Sequence, residues 1–166
     1  MHKEGDALLI QQPVYYPFRE VIEDNGRIFV NNQLHYEDGK YTIDFEDFEK
    51  KIVDNNVKVF ILCNPHNPVG RVWTKEELEK MGDICLKHNV VIMDDEIHCD
   101  FTYPGFKFTS FMTLDEKYHN SLVLYTSPSK TFNVAGLQPA NIIIKNPELR
   151  AAYRKANAAA GYSHGS

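Results

Sequence analysis

Apolar residues along the chain fall into short continuous runs, separated by segments with a helical stripe. Ala7-Leu8-Leu9-Ile10 reads as a buried strand, and Arg27 to Asn31 as a second short one. Val57–Leu62, Val90–Met93, Ser121–Thr126 and Ala140–Ile144 read as further strands. Between them, Phe18 to Asn25 suits a helix stopped by Gly26. Asp44 to Asn55 carries Phe45, Phe48 and Ile52 at i, i+3 and i+7, one face of a helix. Thr74-Lys75-Glu76-Glu77 has the spacing of a capping box, and Leu78, Met81 and Cys85 then line a helix ending near His88. Pro147 suits a first helical turn, with Glu148 to Ala160 continuing it. Strands separated by helices of this length predict a three-layer α/β/α unit with a mostly parallel sheet, in one domain over residues 1–166. The first residues lead at once into a strand, and the last helix runs into residues 161–166 without a stop signal. The chain therefore reads as a piece of something longer.

Composition narrows the functional classes. The chain has 166 residues, enough for one sizeable core, and a net charge of −5. A mildly acidic chain without a basic stripe is poorly suited to a phosphate backbone, so nucleic acid is not an expected partner. No apolar run approaches the roughly 18 residues of a membrane span, so no membrane partner is expected either. The polar N-terminus lacks the apolar segment of a secretory signal. Cys63, Cys85 and Cys99 show no metal-type or redox-type spacing and read as free thiols in a reducing compartment, so the expected location is the cytoplasm. Neither a G-x-G-x-x-G nor a P-loop is present, which argues against a nucleotide-binding domain.

The chemistry concentrates where strands end, the place where open α/β sheets bind ligands. Asn64-Pro65-His66-Asn67-Pro68-Val69-Gly70-Arg71 is a proline-stiffened turn able to hold an amide outward; a plain surface turn is the alternative. Asp94-Asp95-Glu96-Ile97-His98-Cys99-Asp100 places carboxylates and a histidine at a buried strand end. It suits a carboxylate facing a cationic ligand atom, a metal site built from Asp94, Asp95, His98 and Asp100, or a solvated loop. Ser127-Pro128-Ser129-Lys130-Thr131-Phe132-Asn133-Val134-Ala135-Gly136-Leu137 gathers hydroxyls around one lysine. That composition suits a phosphate cradle beside a reactive amine, or a solvated turn.

Taken in order, and together with Pro13-Val14-Tyr15-Tyr16-Pro17-Phe18, these segments resemble the fold-type I pyridoxal 5′-phosphate (PLP) enzymes of the class I/II aminotransferase superfamily. Within it the match is closest to the MalY/PatB-type cystathionine β-lyase, or C–S lyase, branch. The resemblance covers nearly the whole chain. It implies the large PLP-binding domain of that fold, incomplete, with PLP as cofactor and no metal. It also implies Lys130 as the catalytic lysine that holds the cofactor and moves the substrate Cα proton. Asp95 matches the carboxylate facing the pyridine nitrogen, Asn67 and His98 the groups at the ring oxygen, and Tyr15 the aromatic ring over the pyridine. Ser127 and Ser129 match hydroxyls on the phosphate side. Many aminotransferases carry an arginine eight residues after the lysine. Here that residue is Gln138, which cannot replace a bidentate cation and fits the lyase branch better.

The implied reaction is β-elimination of a cystathionine- or cysteine-type amino acid to pyruvate, ammonia and a thiol. An aminotransferase reaction and a non-catalytic role in binding a partner are the alternatives. Family members are more than twice this length, with an N-terminal segment and a C-terminal small domain, and work as dimers. The expectation is a fragment weak or inactive alone, which self-associates through apolar surface.

Overall fold

The computed structural model describes residues 3–161. The expectations attached to Met1, His2 and residues 162–166 lie outside them. Among the described residues eight strands and four α-helices follow in order: β1 (Ala7–Ile10), α1 (Pro17–Asp24), β2 (Ile28–Asn31), β3 (His35–Glu37), β4 (Lys40–Thr42), α2 (Phe45–Asp54), β5 (Val59–Cys63), α3 (Lys75–Lys87), β6 (Val91–Asp95), β7 (Leu122–Thr126), β8 (Asn141–Ile143) and α4 (Pro147–Ala159). Six strands form one sheet in the order β2-β1-β5-β6-β7-β8. All neighbours are parallel except β8, which runs antiparallel along β7.

The side-chain period of two divides each strand between two cores. Leu9, Phe60, Leu62, Ile92 and Leu122 meet Phe48 and Ile52 of α2 and Leu78, Met81 and Cys85 of α3. Leu8, Ile10, Val59 and Cys63 face the other way, against Ile22 of α1. Helices thus cover both faces, the three-layer arrangement the sequence predicts. The predicted capping box of α3 forms as well. Thr74 Oγ1 accepts the Glu77 N–H while Glu77 returns a bond to the Thr74 N–H. Asp44 caps α2 through the Asp47 N–H, and Asn146 caps α4 through those of Glu148 and Leu149. Val57, read from sequence as the start of a strand, closes the end of α2, its N–H bonding Ile52 O at 3.0 Å.

The chain builds outward from β1 in both directions, first to β2 and then back across to β5. The order of the sheet therefore reverses between β1 and β5, and loops leaving these two strands diverge around a crevice. The β1–β5 ladder is short, pairing Leu8 with Val59 and Leu9 with Phe60, whereas β5 and β6 pair over five residues. The β3–β4 hairpin stands apart from the sheet, turned by Asp38 and Gly39 at φ of 49° and 77°.

Candidate active site

Four parallel strands, β1, β5, β6 and β7, deliver the sequence-predicted residues from their carboxyl ends. Asp95 is the last residue of β6, in register with Cys63 of β5 and Tyr125 of β7. Its Oδ1 accepts the Ile97 N–H at 3.1 Å. Burial raises its pKa above the usual carboxylate range, while that hydrogen bond and the nearby charges of His98 and Lys130 pull against the rise. The group is thus poised to gain from a further positive charge. His98, half-buried three residues on, is pushed below the usual imidazole range by burial; Asp95 acts to raise it and Lys130 to lower it further. Its ring meets the edge of Phe101 at 6.2 Å.

Lys130 lies on the exposed turn that follows β7. The turn closes through Phe132 N–H to Pro128 O (2.9 Å) and Val134 N–H to Ser129 O (3.1 Å), and Thr131 Oγ1 donates to Asp100 Oδ2 at 2.6 Å. That last bond ties the lysine loop to the loop carrying His98. Ser127 and Ser129 share an Oγ–Oγ hydrogen bond of 2.7 Å, and Ser127 Oγ also reaches Pro139 O at 2.6 Å. Gln138 is exposed at φ 51°.

On the other side of Asp95 stands the β5–α3 loop. Asn67 is held through its backbone, whose N–H donates to Cys63 Sγ at 3.3 Å. Its side-chain amide has no hydrogen-bond partner among the described residues and is available to a ligand. Tyr15, 44% exposed, stands beyond β1 with its ring edge-on to Phe18 at 5.7 Å. Lys130, Asp95 and His98 are close enough to act on one another electrostatically, with Asn67, Tyr15 and the two serines on flanking loops of the same sheet edge.

Asp94 and Asp95 part company because neighbouring strand residues face opposite sides of a sheet. Asp94 is fully buried on the α2–α3 side, and neither of its oxygens receives a conventional donor. Its pKa is driven far upward by burial and then by the Glu96 carboxyl beside it. Two carboxyls buried side by side escape mutual repulsion when one carries a proton, and the deeper burial favours Asp94 as the protonated one. Glu96 in turn accepts the Phe111 N–H at 2.9 Å. Among the described residues no three His, Cys, Asp or Glu side chains converge to hold a metal ion.

Other features escaped sequence reasoning. A cavity of about 690 Å³ opens beside Asn67 and His98, walled by Tyr41, Val69, Phe101, Tyr103 and Phe106. Its wall includes the β3–β4 hairpin, which the Asp-Gly turn signal at Asp38-Gly39 announces. His66, buried within the β5–α3 loop, carried no sequence signal beyond its place between two Asn-Pro steps.

The family described as aminotransferase class I and II matches residues 1–165. Cystathionine beta-lyase PatB of Bacillus subtilis is 48% identical over 149 residues, covering 90% of this chain and 38% of that protein. An aspartate aminotransferase of Sulfolobus acidocaldarius is 32% identical over 147 residues, covering 88% of this chain and 36% of that protein. Among solved structures, cystalysin from Treponema denticola, which contains a PLP cofactor, superposes with a TM-score of 0.92 at 46% identity, covering 95% of this chain and 40% of that one. This chain therefore spans about two fifths of the length of the relatives it matches.

Proposed function

The chain belongs to the aminotransferase class I and II family, and from that premise we propose that it is the PLP-binding core of a C–S β-lyase. The observation that carries the proposal is the grouping of Asp95, Lys130 and His98 at one sheet edge. A half-buried carboxylate lies within electrostatic reach of an amine there, with an unpartnered amide and an exposed aromatic ring on the adjoining loops.

The donor set fits PLP group by group. Asp95, held above the carboxylate range by burial, gains most from a cationic partner, and the protonated pyridine nitrogen is one. The free amide of Asn67 and the imidazole of His98 suit the ring oxygen. Tyr15 offers a flat apolar surface for the ring. Ser127 and Ser129, with the exposed Gln138, offer neutral hydrogen bonds on the phosphate side in place of a bidentate cation.

PLP, when bound, supplies an electron sink that stabilises negative charge developing at the substrate Cα. The protein's own groups do the rest. The Lys130 amine holds the cofactor and takes up the Cα proton. Asp95 keeps the pyridine nitrogen protonated, Asn67 and His98 orient the ring through its oxygen, and Tyr15 keeps water from one face. The overall change is a β-thio amino acid plus water giving pyruvate, ammonium and a thiol. Gln138 and the PatB and cystalysin matches support the lyase branch over amino transfer. The aspartate aminotransferase match favours transfer as the second reading.

The test is an absorbance titration of the chain with PLP, beside a Lys130→Ala variant. A visible band that the variant loses is the expected result, and no band in either would overturn the proposal. Thiol release from L-cystathionine, without any 2-oxo acid, separates elimination from amino transfer. Turnover that requires a 2-oxo acid and releases no thiol would establish the second reading instead.

A further inference from the structure

His66 lies in the loop that bears Asn67 and reaches the loop that leaves β1. It is the residue before Asn67 and is 2% exposed. Its backbone is fixed within the β5–α3 loop by the His66 N–H to Arg71 O bond (2.7 Å) and the Gly70 N–H to His66 O bond (2.8 Å). The ring is fixed as well, packing edge-on against the buried Trp73 at 5.3 Å, while Trp73 Nε1 donates to Cys63 O at 3.0 Å. From this anchored position Nε2 reaches Pro13 O at 3.0 Å. Pro13 lies two residues before Tyr15, in the loop that leaves β1.

The chemistry of that contact is determinate. A carbonyl oxygen only accepts, so Nε2 carries the proton and Nδ1 the lone pair. Nδ1 is buried and has no partner among the described residues. One polar edge of the imidazole is thus left unsatisfied while the other bridges two loops. The β1–β5 ladder has already ended at Leu9 and Phe60. On its far side the β1 loop is tied toward β2, by Gln12 N–H to Asn31 Oδ1 and Leu34 N–H to Gln12 O. Across the crevice, the His66–Pro13 bond links the loop bearing Tyr15 to the loop bearing Asn67.

We infer that His66 is a positioning residue: its Nε2–H···O=C bond to Pro13 sets the spacing between the Tyr15 ring and the Asn67 amide across the crevice. The inference rests on the reading that these two groups hold PLP. Tyr15 governs how closely a flat ring is covered, and Asn67 the hydrogen bond to that ring's oxygen. A change in their separation alters affinity and also the pH at which the ring oxygen gives up its proton, because a donated hydrogen bond favours the deprotonated form.

The experiment titrates PLP into the wild-type chain and into His66→Phe and His66→Gln, recording binding and the pH midpoint of the visible band. Phe keeps the ring packing on Trp73 and loses the donor; Gln keeps a donor and loses the ring. The expected result is PLP binding roughly tenfold weaker in His66→Phe, the cost of one lost hydrogen bond. Its band midpoint should shift toward higher pH, and His66→Gln should recover much of both effects. Wild-type affinity and midpoint in His66→Phe would reduce His66 to core packing and overturn the inference. A wild-type chain without a band would instead refute the cofactor reading. Should either variant fail to fold, nitrogen NMR of the wild-type His66 ring decides the point. An Nε2–H tautomer coupled to a carbonyl supports the tie, and an Nδ1–H tautomer overturns it.

Discussion

Gly82 lies in the middle of α3, where helix propensity alone favours alanine over glycine by about 1 kcal/mol. The structure reverses that preference. A Cβ at position 82 would stand 2.6 Å from Tyr118 Cε1, 2.9 Å from Tyr118 Cδ1 and 3.0 Å from Phe111 Cζ. Tyr118 cannot easily yield, being 1% exposed, packed edge-on to Phe111 at 5.5 Å, and bonded from its hydroxyl to Asp83 Oδ1 at 2.9 Å. Forcing a methyl group into such a contact costs about 2–3 kcal/mol, at the upper part of the overpacking range. Set against the propensity gain, Gly82→Ala should destabilise by about 1–2 kcal/mol. For a chain of this size that is a fall of roughly 2–8 °C in Tm, read by calorimetry or circular dichroism. The same substitution in a Tyr118→Leu background should be neutral or stabilising, because the ring that obstructs it is gone. A higher Tm for Gly82→Ala in the wild-type background, or the same change in both backgrounds, would refute the reasoning.

Other substitutions probe the polar groups. Asp94 binds its proton more tightly folded than unfolded, so the stability it confers is present at low pH and lost as pH rises through its elevated value. Asp94→Asn should therefore gain in Tm relative to wild type as pH rises from about 4; a difference flat across pH would sink the assignment of a proton to Asp94. His66 behaves oppositely, since burial lowers its pKa from 6.5 to about 4. Its contribution is full above the unfolded value and lost as pH falls through that window, a change of ~3 kcal/mol at most. The His66→Phe variant should lose this part of the acid dependence in paired melts, and parallel curves would count against a buried neutral imidazole. Thr74→Ala removes one side of the capping box and should cost about 1 kcal/mol. A Tm unchanged within error would show that α3 is held by packing alone.

The sheet and its helices were legible in the sequence because each carries its own local signal. β1 is apolar throughout, α2 repeats Phe45, Phe48 and Ile52 with helical spacing, and α3 opens with a complete cap. The loops at the strand ends stood out in the sequence as proline-stiffened or densely polar segments, each with a plain turn or solvated loop as its alternative. What the sequence withheld depends on neighbours far away along the chain. Asp94 and Asp95 look equivalent until the sheet assigns them to opposite faces. His66 reads as one more turn residue until Pro13, 53 positions earlier, arrives beside it. The β3–β4 hairpin went unread because its strands are three residues each and largely exposed, leaving only the Asp38-Gly39 turn to mark it.

The distance along the chain between β1 and β5 has a consequence for synthesis. This strand is buried on both faces and lies inside the sheet, yet its inner neighbour begins at Val59, about fifty residues later. A ribosome adding roughly 5–20 residues per second leaves Ala7–Ile10 without that neighbour for several seconds, paired at best with β2 on the opposite edge. During that interval an apolar strand offers an open row of amides and carbonyls to any other nascent chain. Codon choice and chaperone supply across residues 30–60 should therefore govern the yield of folded protein more strongly than the same changes made downstream of β5.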